Sequence, residues 1–136
     1  MSDSSPSSKI QSKSRICVLE DDAAVSDSLQ VVLGRNGFDV TTFGSAGEFL
    51  ASHTADSYDC LIVDLGLPLM SGLELIEVLR GRAYSKPAVL IWGRPEGRLL
   101  PRIRRAGIAE TLAKPVAPAE LLDALRKAVA AGPLRT

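Results

Sequence analysis

The sequence predicts an α/β fold: a three-layer α/β/α sandwich around a five-stranded parallel sheet of order 2-1-3-4-5. Three observations predict it. Short apolar runs, several rich in β-branched residues, recur at 15–20, 38–43, 58–63, 87–92 and 108–113, with helical stretches between them. The run Tyr58–Val63 is almost continuously apolar, as in a strand buried on both faces. With 136 residues and 46% hydrophobic content, the chain suits one globular domain with one core.

The elements follow in order. Residues 1–14 (MSDSSPSSKIQSKS) are Ser- and Lys-rich, poor in apolar side chains, and expected to form a flexible tail. Arg15–Glu20 is the first strand. Asp22 is placed to cap a helix whose Val25, Leu29, Val32 and Leu33 keep helical spacing, and Asn36-Gly37 ends it with a residue suited to positive φ. Phe38–Phe43 is the second strand. Ser45 followed by Glu48 is a capping-box pattern for a helix to about His53.

Tyr58–Val63 is the third strand, and Leu65–Ser71, with Pro68, is a loop. Gly72–Arg80 is the third helix, offering Leu73, Ile76, Val78 and Leu79 to the core. Pro87–Trp92 is the fourth strand. Gly93–Pro101 is punctuated as a loop; a short helix begins near Leu100-Pro101 and ends at Gly107. Ile108–Ala113 is the fifth strand. Pro118 opens the last helix, which runs to about Ala131 and stops at Gly132-Pro133. The ordered domain is therefore 15–131, with a short C-terminal tail at 132–136.

Sixteen basic residues balance sixteen acidic ones, so no global charge draws the chain to nucleic acid or an anionic membrane. No apolar run approaches the roughly 20 residues of a membrane span, and the N-terminus lacks the apolar segment of a secretory signal. A cytoplasmic location is expected. Cys17 and Cys60 lie inside strand runs and read as small buried hydrophobes in a reducing compartment. His53, the only histidine, sits in a polar stretch where no catalytic or metal role is expected.

In a parallel sheet with right-handed crossovers, every strand ends on the same edge. Glu20-Asp21 ends the first run, Asp64 the third and Lys114 the fifth, so three acids and one amine converge there. The switch point between the first and third strands is where such sheets bind ligands. Three adjacent carboxylates repel one another and call for a cation. Mg²⁺ suits them, because it takes oxygen ligands, keeps waters and bridges to phosphate. Phosphoryl transfer needs mainly positioning and charge neutralisation, so Mg²⁺ and Lys114 suffice without an acid–base triad. A phosphate-bearing cofactor after the first strand is disfavoured, since Glu20-Asp21-Asp22 would repel it.

These residues carry a family resemblance. LEDD at 19–22, DLGLPLMSGLEL at 64–75 and AKP at 113–115 strongly resemble the receiver domain of two-component response regulators, over about 15–131. (A chemotaxis receiver is among the standard examples of this strand order.) The NGFDV and SAGEFL strings look most like the nitrogen-fixation regulator branch. The resemblance makes Asp64 the phosphoacceptor, Asp21 a direct Mg²⁺ ligand, and Glu20 a ligand acting through a coordinated water. It also makes the Gly66 backbone carbonyl a metal ligand and Lys114 the contact to the phosphoryl oxygens. The Lys114-Pro115 bond is a candidate for the cis isomer, which X–Pro bonds adopt at little cost.

The chain departs from the family at two switch positions. Where receivers carry Thr or Ser at the end of the fourth strand, this chain has Trp92, whose indole donates a hydrogen bond but accepts none. Where they carry Tyr or Phe in the fifth strand, it has Thr111. Two readings stand: a volume-conserving core exchange, or a different switch. In the next segment, Arg94, Arg98, Arg102, Arg104 and Arg105 face a single acid, Glu96. That cluster reads as a solvated basic face, or as a docking surface for an acidic partner, with Arg94 placed to reach the phosphoryl pocket. No nucleic-acid recognition motif or aromatic interleaving accompanies it.

The resemblance implies a phosphoacceptor, not an enzyme in the usual sense, with at most self-phosphorylation and autodephosphorylation chemistry. About five residues follow the last helix, so a stand-alone receiver is expected. Its partners would be a sensor histidine kinase, a relay histidine protein, and a second copy meeting it through the fourth helix, fifth strand and fifth helix. The rival reading is a phosphorylation-independent pseudo-receiver that keeps the fold as an interaction module.

Overall fold

The computed structural model describes residues 13–134. Residues 1–12 of the expected tail, and 135–136 of the C-terminal one, lie outside the described residues. Strands β1 (Arg15–Leu19), β2 (Asp39–Phe43), β3 (Cys60–Asp64), β4 (Ala88–Trp92) and β5 (Glu110–Ala113) form one sheet of order β2-β1-β3-β4-β5. All neighbours are parallel. Helices α1 (Ala23–Arg35), α2 (Ala46–Ser52), α3 (Gly72–Gly81), α4 (Leu100–Arg105) and α5 (Pro118–Ala131) make the crossovers.

Strand alternation splits the interior into two cores, not the single one expected. Ile16, Val18, Ile62, Val89 and Ile91 pack with Leu29 and Leu33 of α1 and Leu121 and Leu125 of α5. Cys17, Leu19, Leu61, Val63, Leu90 and Trp92 pack on the other face with Phe49 of α2, Leu73 and Ile76 of α3, and Ile103 of α4. Strands β3 and β4 are buried at every position, which explains their unbroken apolar sequence.

Local chemistry sets the helix ends. The Asp22 side chain accepts from the Ala24 and Val25 amides and caps α1. Gly37 follows that helix at φ +87°. Ser45 caps α2 through the Glu48 amide, but the Glu48 carboxylate accepts from Gly44 N–H, so the expected box is only half made. The complete capping box belongs instead to α3, between Ser71 and Glu74. Pro118 opens α5, as the sequence predicts.

The segment expected as loop at 93–101 is more ordered. A 3₁₀ turn at Gly97–Leu99 leads into α4, and Pro101 sits in its first turn, where a missing N–H costs nothing. Strand β5 begins at Glu110, two residues later than expected. Both cysteines are free and buried; burial pushes both thiols up, that of Cys60 to about 12, so they are inert at neutral pH.

Candidate functional site

Register builds the site. Leu19 pairs with Val63, so Glu20 emerges beside Asp64. Trp92 pairs with Ala113, so Lys114 emerges beside the end of β4. Two cross-strand bonds fix these exits: Leu65 N–H donates to the Ile91 carbonyl at 2.7 Å, and Lys114 N–H to the Trp92 carbonyl at 2.9 Å. A cleft of about 560 Å³ opens at this edge, lined by Glu20, Asp21, Asp22, Asp64, Gly66, Arg94, Glu96 and Lys114, among others.

Asp64 is buried, and both of its oxygens are engaged. Gly66 N–H donates to Oδ1 at 3.0 Å, and Lys114 Nζ donates to Oδ2 at 3.1 Å. Glu20 is also buried; its Oε2 accepts from the Asp22 amide at 3.2 Å. Its Oε1 lies 3.2 Å from Lys114 Nζ, close enough for an ion pair, but is aligned for no hydrogen bond. Burial, with the like charge of Asp64 beside it, pushes the Glu20 carboxyl well up, to about 7. Burial opposes the charge on Lys114, but its hydrogen bond to Asp64 and the negative charge of Asp64 and Glu20 outweigh it and hold the ammonium above its ordinary value. The Lys114–Pro115 peptide is cis.

Glu20, Asp21 and Asp64 each offer an oxygen within 4.8 Å of the others. An all-oxygen donor set with one buried oxygen left without a hydrogen bond fits a hard divalent cation such as Mg²⁺.

The sequence model of the response regulator receiver domain matches residues 16–126. The chain belongs to that family. Receiver domains are signalling modules of two-component systems, not classical enzymes, and they bind Mg²⁺ at an acidic pocket. The chain is 30% identical over 122 residues to the transcriptional regulatory protein TdiR of Thauera aromatica, covering 90% of this chain and 54% of that one. It is 34% identical over 113 residues to nodulation protein W of Bradyrhizobium diazoefficiens, covering 83% and 50%. It is 32% identical over 103 residues to FixJ of the same organism, covering 76% and 50%, in keeping with the branch its strings resemble. The chain spans about half the length of these curated relatives. Among solved structures, a CheY-like receiver domain protein from Methanospirillum hungatei superposes with a TM-score of 0.80 at 27% identity, covering 88% of this chain and 96% of that one. The response regulator StyR superposes with a TM-score of 0.81 at 34% identity, covering 88% and 60%.

Trp92 and Thr111, the two positions where the sequence departs from its relatives, lie away from the cleft. Trp92 is 6% exposed and packs in the core with Leu99, Ile103 and Ala106, under the 3₁₀ turn and α4. Thr111 is half-buried and pairs with Leu90; its neighbour Leu112 packs on the opposite core. Trp92 and Thr111 therefore share one face of adjacent strands, the geometry of a large-for-small exchange.

The arginine cluster divides. Of the five arginines, only Arg94 lines the cleft. Arg98 pairs with Glu96 at 2.7 Å. Arg102 is held in a fork by Glu77 of α3, at 3.0 and 2.7 Å, an acid absent from the sequence count because it lies 25 residues away. Arg105 is exposed. Sequence reasoning also missed Glu96 as part of the cleft and the Gly66 amide as the support of Asp64. Only a three-dimensional path through the 93–97 turn brings Glu96 there; the Gly after Asp64-Leu65 did hint at a tight backbone approach.

No helix among the described residues is long and apolar enough to cross a membrane.

Proposed function

We propose that this receiver accepts a phosphoryl group on Asp64 from the phosphohistidine of a sensor histidine kinase. The observation that carries the reading is the convergence of Asp64, Lys114 at 3.1 Å, and the Glu20–Asp21 pair at one sheet edge. Asp21, Asp64 and the Gly66 carbonyl would hold Mg²⁺, with Glu20 acting through its waters. When bound, the metal neutralises phosphoryl oxygen charge as it moves. As the P–O bond to Asp64 forms, the P–N bond of the phosphohistidine breaks and the imidazole leaves. Lys114 then has a role it cannot play for a bare carboxylate: its ammonium moves from Asp64 Oδ2 to a phosphoryl oxygen. Hydrolysis by water resets the site, and small phosphoryl donors load it without a protein, so the chemistry is limited to self-phosphorylation and autodephosphorylation.

Output runs through protein contacts of the domain or onward transfer to a relay histidine. The face made by α4, β5 and α5 is the surface for a homodimer or an acidic partner, with Arg104 and Arg105 exposed on it. A cytoplasmic location and a domain spanning 15–131 belong to this reading. The names of TdiR and FixJ attach transcriptional regulation to those longer proteins. The test is transfer of labelled phosphate from autophosphorylated histidine kinases of the same genome. Transfer from one or two kinases within a minute supports the reading; none from any kinase rejects the donor.

One observation favours a second reading. Trp92 is sealed in the core and brings no hydroxyl to the cleft, as in a phosphorylation-independent interaction module. Acetyl phosphate with Mg²⁺ separates the two: no gain of mass on the wild type selects the second.

A further inference from the structure

The β3–α3 loop contains a residue that neither folding nor packing explains. Leu69 projects entirely into solvent, five residues after Asp64, while Leu67 beside it is buried. Its backbone is left-handed at φ +69°, and Met70 N–H donates to the Pro68 carbonyl at 2.7 Å, closing a three-residue turn around it. That positive-φ turn is the strained member of its class. Gly or Asn accepts such a backbone readily; a bulky apolar residue does so at a cost. The side chain recovers none of that cost within the domain. An exposed, strained apolar residue on the rim of a reaction site is a feature that contact with another molecule would explain.

Leu69 and half-buried Met70 and Val78 border a shallow hollow of about 480 Å³, edged by Glu74 and Glu77. A small phosphoryl donor reaches Asp64 without touching this loop. A protein donor has to lay its surface across the strand ends, and the loop lies on its path. We infer that Leu69 is a docking residue for the protein that phosphorylates Asp64. The inference rests on the donor reading above and adds what the donor must look like. In the cleft the acids Asp21, Asp22, Asp64 and Glu96 outnumber Arg94 and Lys114, and Glu74 beside Leu69 adds to that negative charge, while Glu77 is already held by Arg102. The matching donor surface is an apolar recess that receives Leu69, bordered by Lys or Arg side chains.

The experiment compares wild type, Leu69→Asn and Leu69→Met in the whole 136-residue chain. Asn tolerates the left-handed backbone and removes the apolar surface; Met keeps apolar bulk. Labelling by acetyl phosphate should be equal in all three. The Asn variant should unfold about 3 °C higher than wild type, through relief of backbone strain. Transfer from the histidine kinase that labels wild type should fall about tenfold in the Asn variant. It should stay within about twofold in the Met variant, with the loss in the Asn variant appearing in KM and not in kcat. Equal kinase transfer to wild type and the Asn variant overturns the docking role. If acetyl phosphate labels Asp64 but no kinase labels any of the three, the donor reading and the docking role fall together. If acetyl phosphate labels nothing, the phosphoacceptor reading itself fails.

Discussion

Gly72→Ala should damage fold and site together, because α3 begins against the back of Asp64. A Cβ at this position would press into the Asp64 carbonyl oxygen and stand 2.7 Å from Val63 Cγ1 and 2.9 Å from the Asp64 carbonyl carbon. None of these atoms is the end of a flexible chain: two are backbone, and Val63 is β-branched and completely buried. The Gly72 amide also donates to the Leu65 carbonyl at 3.0 Å, so the helix start cannot slide away without breaking a loop bond. Relief requires α3 and β3 to part by roughly 1 Å, with a cost of about 2–3 kcal/mol for forced overpacking. The unfolding midpoint should drop by roughly 10 °C. The same shift moves Asp64 relative to Lys114, so acetyl phosphate labelling should slow by about 10- to 100-fold. Gly34→Ala is the control: nothing lies within 4 Å of its Cβ, and the position is helical. It should gain about 0.5–1 kcal/mol and leave labelling unchanged. Denaturant melts and labelling rates on both variants decide the matter. A Gly72→Ala protein as stable and as fast as wild type would refute the claim that this contact sets the site.

Three further outcomes are expected. The Glu20 carboxyl is raised from 4.5 to about 7 on folding, so the folded state binds its proton more tightly than the unfolded chain. Without metal, stability should therefore fall as pH rises from about 4.5 to 7, by on the order of 2 kcal/mol. Glu20→Gln should flatten that part of a pH series of urea melts. Trp92, the only tryptophan, should change fluorescence on addition of Mg²⁺ and acetyl phosphate, and not in Asp64→Asn; a flat signal in fully phosphorylated protein would make it a core substitution only. Arg94→Ala should change the lifetime of the phosphorylated form, measured by loss of label, because Arg94 lines the cleft. Arg102→Ala should not, and should leave the unfolding midpoint nearly unchanged, since its bridge to Glu77 is more than a third exposed on both sides.

The strand order and the placing of Asp64, Asp21, Glu20 and Lys114 were legible because they follow from strand ends. One period, one edge and one crossover hand fix where Asp64 must emerge, without any knowledge of side-chain contacts. What escaped depended on partners distant in sequence. The fork from Arg102 to Glu77 joins α4 to α3, and nothing in RIRR foretells it. The two capping boxes show the same limit: Ser45 and Ser71 each precede a Glu by three residues, and only packing decides which Glu turns back to its own cap. Trp92 was legible as an anomaly, but the choice between a core exchange and a different switch was not, because end-of-strand positions face either the cleft or the helices. The fate of Leu69 was invisible, since its letter is apolar in an apolar string and only its backbone sets it outward.

The central claim is that Asp64 receives phosphate. Intact-mass analysis after incubation with acetyl phosphate tests it, on wild type and Asp64→Asn, each with Mg²⁺ and with a chelator. One added phosphoryl mass is expected on wild type with Mg²⁺, and none with chelator or on Asp64→Asn. Equal labelling of Asp64→Asn, or labelling indifferent to the metal, would contradict it.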